Sequence, residues 1–376
     1  MVLRCVVLFG LLGLFQSTLG PLIPIVRDDN GLTGATAGLL VSGFFAGSLA
    51  STVIGGVLTE RWARAYLVVG PAVLLLLGSA GLVVRGPWPL PLLAVLVAGL
   101  GFGGLVLVVN TAMASQPGQR GVTLTNVVNG VFGLGAAAGP ALVGVTRGVG
   151  YPYLFGVLAV AILLTLPARD LGGVRPRDAP PAGGDSPAVV ALFCALLFCY
   201  AGLETGLSSW ETVHLEAHGY APGTASALTS LFWLGMAASR LAIPLLTAGR
   251  PPARIIAATL TAAFCALALI AVPDVAPAGY LLAGALAGPV FPTALAWHAS
   301  THPDPRRGNA VLLTAAMIGN VTLPAAIGYS MQATSELALP ALVAVPVAVC
   351  LTITLVLRHR AGRAPSARSE PGGSSG

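Results

Sequence analysis

The chain has 376 residues, 56% of them hydrophobic and 9% charged, with a mean hydropathy of +0.87. A soluble domain carries charge on about a quarter of its residues, so a water-soluble globular fold is excluded. The net charge of +6 comes from 19 basic residues, all Arg, and their placement fits anionic lipid headgroups rather than nucleic acid.

Crossing a bilayer takes about 20 apolar residues. Twelve segments qualify, in order 3–25, 33–57, 65–84, 88–113, 120–145, 151–167, 188–212, 222–246, 253–272, 277–299, 308–330 and 338–357. The first has only Arg4 ahead of it and no small-residue cleavage pattern, so it is expected to be a retained helix rather than a signal peptide. With both termini inside, Arg4, Arg61, Arg64, Arg120, Arg169, Arg175, Arg177, Arg250, Arg254, Arg306, Arg307, Arg358, Arg360, Arg363 and Arg368 fall in the cytoplasm. Arg27, Arg85 and Arg147 stay outside. By the positive-inside rule the protein is expected in the plasma membrane with both ends cytoplasmic. Arg27, Asp28 and Asp29 form an outer loop cluster, expected to be solvated.

The expected divisions are a first six-helix half over 1–167, a linker over 168–187, a second half over 188–357 and a disordered tail over 358–376. The linker ARDLGGVRPRDAPPAGGDSP is too rich in Pro, Gly and charge to build a core. The cysteines at 5, 194, 199, 265 and 350 fall in apolar segments without CxxC spacing and read as inert. No HExxH, Walker or nucleotide-binding motif is present. The expectation is therefore no enzyme, no metal, no cofactor and no direct use of ATP.

The two halves repeat. At an offset of 188, LLVSGFFAGSLAS from Leu39 falls on ALTSLFWLGMAAS from Ala227, pairing Ser42 with Ser230, Phe44 with Phe232 and Gly47 with Gly235. The same offset sets Gln16 on Glu204. At an offset of 187, the segment from Gly99 meets the segment from Leu286 and ends with Arg120–Gly121 on Arg307–Gly308. Duplicated sets of apolar helices mark a secondary transporter.

Several motifs carry a resemblance. After the second span the chain reads GGVLTERWARAYL, where Gly56, Leu58, Arg61 and Arg64 fit a Gly-x-Leu-x-Asp-Arg-x-Gly-Arg-Lys pattern and Glu60 stands for Asp. With twelve spans in two halves, this resembles the major facilitator superfamily. The resemblance implies an all-α membrane protein of two pseudo-symmetric six-helix halves, with Glu60, Arg61 and Arg64 as a cytoplasmic latch. GLGFGGLVLVVNTA with Asn110, YAGLETGLSSW with Glu204, and SLFWLGMAASRL with Trp233 and Arg240 resemble the fucose/glucose–proton symporter branch. GAAAGPALVG, through Gly135, Gly139, Pro140 and Gly144, resembles the helix 5 motif of drug exporters.

An ionisable side chain at membrane depth costs at least about 2.5–3.5 kcal/mol, so each one is a functional candidate. Glu204 and Arg240 qualify. Glu204 shares a helical face with Tyr200, Ser208 and Glu211 and reads either as a substrate or proton site or as a bond to the first helix. Arg240 is expected near the cytoplasmic end as part of a gate, too far away to be the fixed partner of Glu204. Trp233 reads as a stacking surface or as core packing. The amides Gln16, Asn110, Asn126, Asn129, Asn309 and Asn320 donate and accept together, as a polyhydroxyl solute requires, and also join helices. Trp297 and His298 are expected at an interface. The combined expectation is a monomeric transporter of a small, sugar-like solute, with protons as possible co-substrate. The alternative is a proton-driven exporter of drug-like compounds.

Overall fold

The computed structural model describes residues 2–58, 64–114, 116, 119–146, 151–165, 186–246, 249–301 and 305–363. Every predicted span is helical. The first half holds α1 (Val2–Ser17), α2 (Leu19–Asn30), α3 (Gly34–Leu58), α4 (Arg64–Val83), α5 (Leu90–Ala114), α6 (Gln119–Thr146) and α7 (Tyr151–Thr165). The second holds α8 (Pro187–Ala217), α9 (Pro222–Leu228), α10 (Ser230–Leu246), α11 (Pro252–Ile270), α12 (Ala276–Ala287), α13 (Val290–Thr301), α14 (Pro305–Ala333) and α15 (Leu339–Arg363). Short 3-10 turns at Pro273–Val275 and Glu336–Ala338 precede α12 and α15. The last helix runs to Arg363, past the expected boundary at 357.

Three spans are interrupted, and proline accounts for the first and the tenth. Pro21 has no N–H for the Ser17 carbonyl, and the chain bends by 41° between α1 and α2. Thr18 donates its hydroxyl to the Phe15 carbonyl at 2.6 Å, holding a backbone acceptor in the bend. The eighth span divides into α9 and α10, and the tenth into α12 and α13 around Gly288–Pro289. Proline also starts helices, at Pro187, Pro222 and Pro252, where a missing N–H has no helical partner to lose. The outer surface of the bundle is apolar, with Val145, Val157, Leu77 and Val345 among the exposed side chains. In a chain this apolar such a surface meets lipid, and helices satisfy their own backbone there.

The duplication is visible as matching close contacts. A side chain at Gly99 on α5 would run into the Phe44 carbonyl on α3, and one at Gly284 on α12 into the Phe232 carbonyl on α10. Gly47 and Gly235 make the reciprocal approaches. Gly135 of α6 abuts Gly10 of α1, as Gly319 of α14 abuts Phe198 of α8, and Pro140 and Pro324 bend the same two helices. These pairs confirm the offset of 188 for the first two spans of each half. They correct it for the later ones, to 185 between α5 and α12 (Gly99 to Gly284) and 184 between α6 and α14 (Pro140 to Pro324). The offset of 187, taken from the Arg-Gly ends, is wrong inside the helix because loops of the two halves differ in length.

The halves meet through α2 on α8, α3 on α14, and α6 on α9 and α10. On the face opposite the chain ends, here the far face, Trp210 of α8 lies between Gly38 of α3 and Gly328 of α14, with its indole N–H donated to the Pro324 carbonyl at 2.8 Å. Gly20 packs on the backbone of Ser208 and Ser209. Arg27, at the end of α2, reaches Glu336 at 3.2 Å and Glu216 at 3.9 Å. The expectation of a solvated outer loop at Arg27 is thus overturned. Arg27 is helical and ties one half to the other.

Two outcomes follow. Gly99→Val and Gly284→Val should each destabilise the fold by about 1–3 kcal/mol through overpacking. They should do so by similar amounts in thermal unfolding of the purified protein. Arg27→Ala should loosen the far face, so that a cysteine placed by Ser209→Cys reacts several-fold faster with a charged thiol reagent added from that side.

Candidate functional site

The site is organised by α8. Its 31 residues span about 46 Å, more than the roughly 30 Å of hydrocarbon. Spacings of 3 and 4 place Tyr200, Glu204, Ser208, Glu211, His214 and His218 along one stripe. Most of that stripe is buried, Glu211 and His214 completely.

At the middle of α8, Glu204 pairs with Arg240 of α10, carboxylate to guanidinium, at 3.7 Å. This corrects the sequence expectation that kept them apart. The span that carries Arg240 is divided into α9 and α10. Arg240 also donates its Nε to the Gly288 carbonyl at 3.3 Å, and Tyr200 donates its hydroxyl to the Ala287 carbonyl at 2.8 Å. Both acceptors lie at the break between α12 and α13. Pro292 has no N–H to return to Gly288, so the broken helix presents a carbonyl that Arg240 takes up. The Glu204 and Arg240 side chains are 18% and 34% exposed, so the pair is partly open to solvent.

The amides form two separate bridges. Asn129 of α6 donates to Asn110 of α5 at 3.2 Å and to the Thr125 carbonyl at 2.8 Å. Thr205 of α8 donates to Asn320 of α14 at 2.7 Å. Gln16 is half-buried on α1, and the matched contacts of α1 and α8 put it in the place equivalent to Glu204. Trp233 is buried edge-on against Phe232, centroids 5.6 Å apart, which is its packing alternative in this conformation. Glu60 and Arg61 lie outside the described residues, as do the side chains of Arg64, Asn126 and Asn309. Trp297 and His298 are buried against Phe193.

Sequence reading missed a second polar cluster nearer the far face. Glu211 is fully buried, and neither of its carboxyl oxygens has a hydrogen-bond partner among the described residues. His214 places Nδ1 at 2.9 Å from the Tyr280 hydroxyl of α12, with its ring 4.4 Å from that of His218. Thr212 and Thr229 share a hydrogen bond at 2.9 Å beside it. The signal was present, since Glu211 lies on the face already assigned to Glu204. Spacing alone does not show that Glu211 is buried as deeply as it is.

Arg240 and Tyr200 thus each donate to a carbonyl where α12 gives way to α13, beside the Glu204 carboxylate. The sequence matches the family model of the Major Facilitator Superfamily over residues 5–324. The chain belongs to the major facilitator superfamily. An uncharacterized MFS-type transporter of Yersinia pestis is 25% identical over 245 residues, 62% of each chain, so the match spans less than two thirds of that relative. The nucleoside transporter NupG has the same fold, with a TM-score of 0.76 at 13% identity, covering 95% of this chain and 99% of that one. The peptide transporter POT superposes with a TM-score of 0.74 at 16% identity over 96% and 94% of the two chains. The fucose:proton symporter FucP of E. coli does so with a TM-score of 0.65 at 16% identity over 96% and 98%. This facilitator is a multi-pass membrane protein. Its helix 5 motif serves packing: Gly135 and Gly139 approach α1 and Gly144 approaches α9. The second half makes corresponding contacts at Gly319 and Gly202, so the motif is not peculiar to the half that resembles exporters.

Removing one partner of a buried pair strands the other charge. Because this pair is partly exposed, Arg240→Ala should cost on the order of 1–3 kcal/mol in thermal stability. Glu204→Gln combined with Arg240→Gln should recover most of that loss.

Proposed function

We propose that this facilitator moves a small polar, sugar-like solute across the plasma membrane by alternating access, driven by a proton that Glu204 binds and releases. The Glu204–Arg240 pair carries the reading. An ionised carboxylate holds Arg240 between α8 and the broken α12–α13 span. Protonation removes the charge that holds Arg240 and frees the guanidinium for a solute hydroxyl or for the Gly288 carbonyl alone. The charge change is thereby coupled to a joint between helices. Amides at Asn110, Asn129, Asn320 and Gln16 supply paired donors and acceptors suited to hydroxyl groups.

The Arg distribution supports chain ends in the cytoplasm and a far face outside. With Arg27 bridging the halves and Trp210 wedged between them, the far face is shut, which supports an inward-facing state. Glu60, Arg61 and Arg64 remain the candidates for the latch that closes the opposite side, and the transporter acts as a monomer.

The test is counterflow and uphill uptake in proteoliposomes with radiolabelled L-fucose, D-glucose, uridine and a dipeptide as probes. A sugar should exchange, and an inward-acidic pH difference should fail to drive the accumulation that an outward-acidic one drives. Glu204→Gln should abolish uphill accumulation and leave exchange intact. Full pH-driven accumulation by that variant would remove Glu204 from coupling, and loss of exchange as well would reassign it to solute binding.

A further inference from the structure

We propose that Glu211, buried with His214 and Tyr280 beneath the far face, is a second proton site that reloads Glu204 from the extracellular side along α8. The inference rests on the proton-coupled reading of Glu204 and adds to it the route and the reservoir.

Two carboxyls on one helical face have opposite surroundings. Glu204 has a guanidinium at 3.7 Å. Glu211 is completely buried and its oxygens have no hydrogen-bond partner among the described residues. An ionised carboxylate in such a place is prohibitively costly, and the group persists as the neutral acid. The charged groups of neighbouring elements do not relieve it. Arg27 from α2 is engaged by Asp28, Glu216 and Glu336. Arg240 from α10 is engaged by Glu204. Asp274, ahead of α12, is exposed. From α14, Tyr329 is exposed, and Arg306 and Arg307 belong to its opposite end. The described parts of α3 and α9 carry no titratable residue. What faces the site is Tyr280, with His214 and His218 on α8 itself.

Those residues make a path. His218 stands half-buried one residue past the end of α8, with Nε2 at 3.3 Å from the Ile270 carbonyl. His214 is one turn deeper, its Nδ1 held by Tyr280 and its Nε2 without a hydrogen-bond partner among the described residues. Glu211 follows three residues on, then Ser208, then Glu204. Neighbours at such spacings stand about 5–6 Å apart at Cβ, within reach of small rotamer changes. A proton from extracellular water adds to a ring nitrogen of His218 and passes to His214, while Glu211 still holds its own. When Arg240 leaves Glu204, the Glu211 O–H bond breaks. Ser208 accepts that proton and donates its own, and an O–H bond forms on Glu204. His214 supplies a proton to Glu211 in the same event, so no buried carboxylate is left behind. No group of three or more His, Cys, Asp or Glu converges for a metal among the described residues, so a proton is the fitting occupant.

Infrared difference spectroscopy of the purified protein in lipid nanodiscs tests this without a known solute. At neutral pH the spectrum should hold a carboxylic-acid C=O band that Glu211→Gln removes and Glu204→Gln keeps. A band that survives Glu211→Gln overturns the site. His214→Gln and Tyr280→Phe leave the carboxyl in place and should slow the deuterium shift of that band at least tenfold. Unchanged exchange in both overturns the path, and these two variants also decide the matter if Glu211→Gln does not fold. The two readings separate cleanly. A band that responds as expected, in a protein whose sugar counterflow moves no proton by pyranine fluorescence, defeats coupling at Glu204 and leaves the Glu211 site standing. Sugar-linked proton uptake with no such band defeats the Glu211 site alone.

Discussion

Backbone meeting backbone at glycine is the constraint on which the rest of this structure depends. Lipid tails are as apolar as leucine, so helices in a bilayer gain little from hiding hydrophobic side chains from one another. They associate where they approach closely, and here they do so at Gly47 and Gly99, at Gly10 and Gly135, and again at Gly235 and Gly284. Each contact joins helices of one half. Each half is therefore a tightly packed unit, and its pairing pattern is made twice from different residues.

Contacts between the halves include glycine approaches too, at Gly20 and Gly144, but they are mixed with polar ones. A few are close, as where Trp210 sits between Gly38 and Gly328, but several are polar and reach only across the far face, as at Arg27. Ion pairs at a partly exposed surface contribute little and break easily. Tight units joined by breakable contacts are what a rocking motion about a central site needs. The proline breaks add compliance inside each unit and leave carbonyls free where α12 meets α13.

Those carbonyls connect fold to chemistry. Arg240 divides its donors between Gly288 and Glu204, so the charge state of one carboxylate bears on how a broken span is held. Glu211, two turns away on the same helix, has no such partner. The difference between the two carboxyls comes from what lies opposite them, not from their own helix.

Much was legible in the sequence. Twelve apolar runs, the repeat and the polar face of α8 follow from periodicity and composition, because a bilayer imposes helix length and leaves few places for charge. The equivalence of Gln16 and Glu204 also followed, since the first two spans of each half keep one offset. The offset of the later spans did not, because loops absorb insertions without changing the packing of helices. Nor could the sequence bring Arg240 to Glu204. That contact depends on how α10 is set among its neighbours α6 and α12, which leaves no local pattern. Burial of Glu211 is likewise a tertiary fact. Spacing says which residues share a face, and only the packing of α12 and α9 on that face decides whether it meets water, lipid or protein.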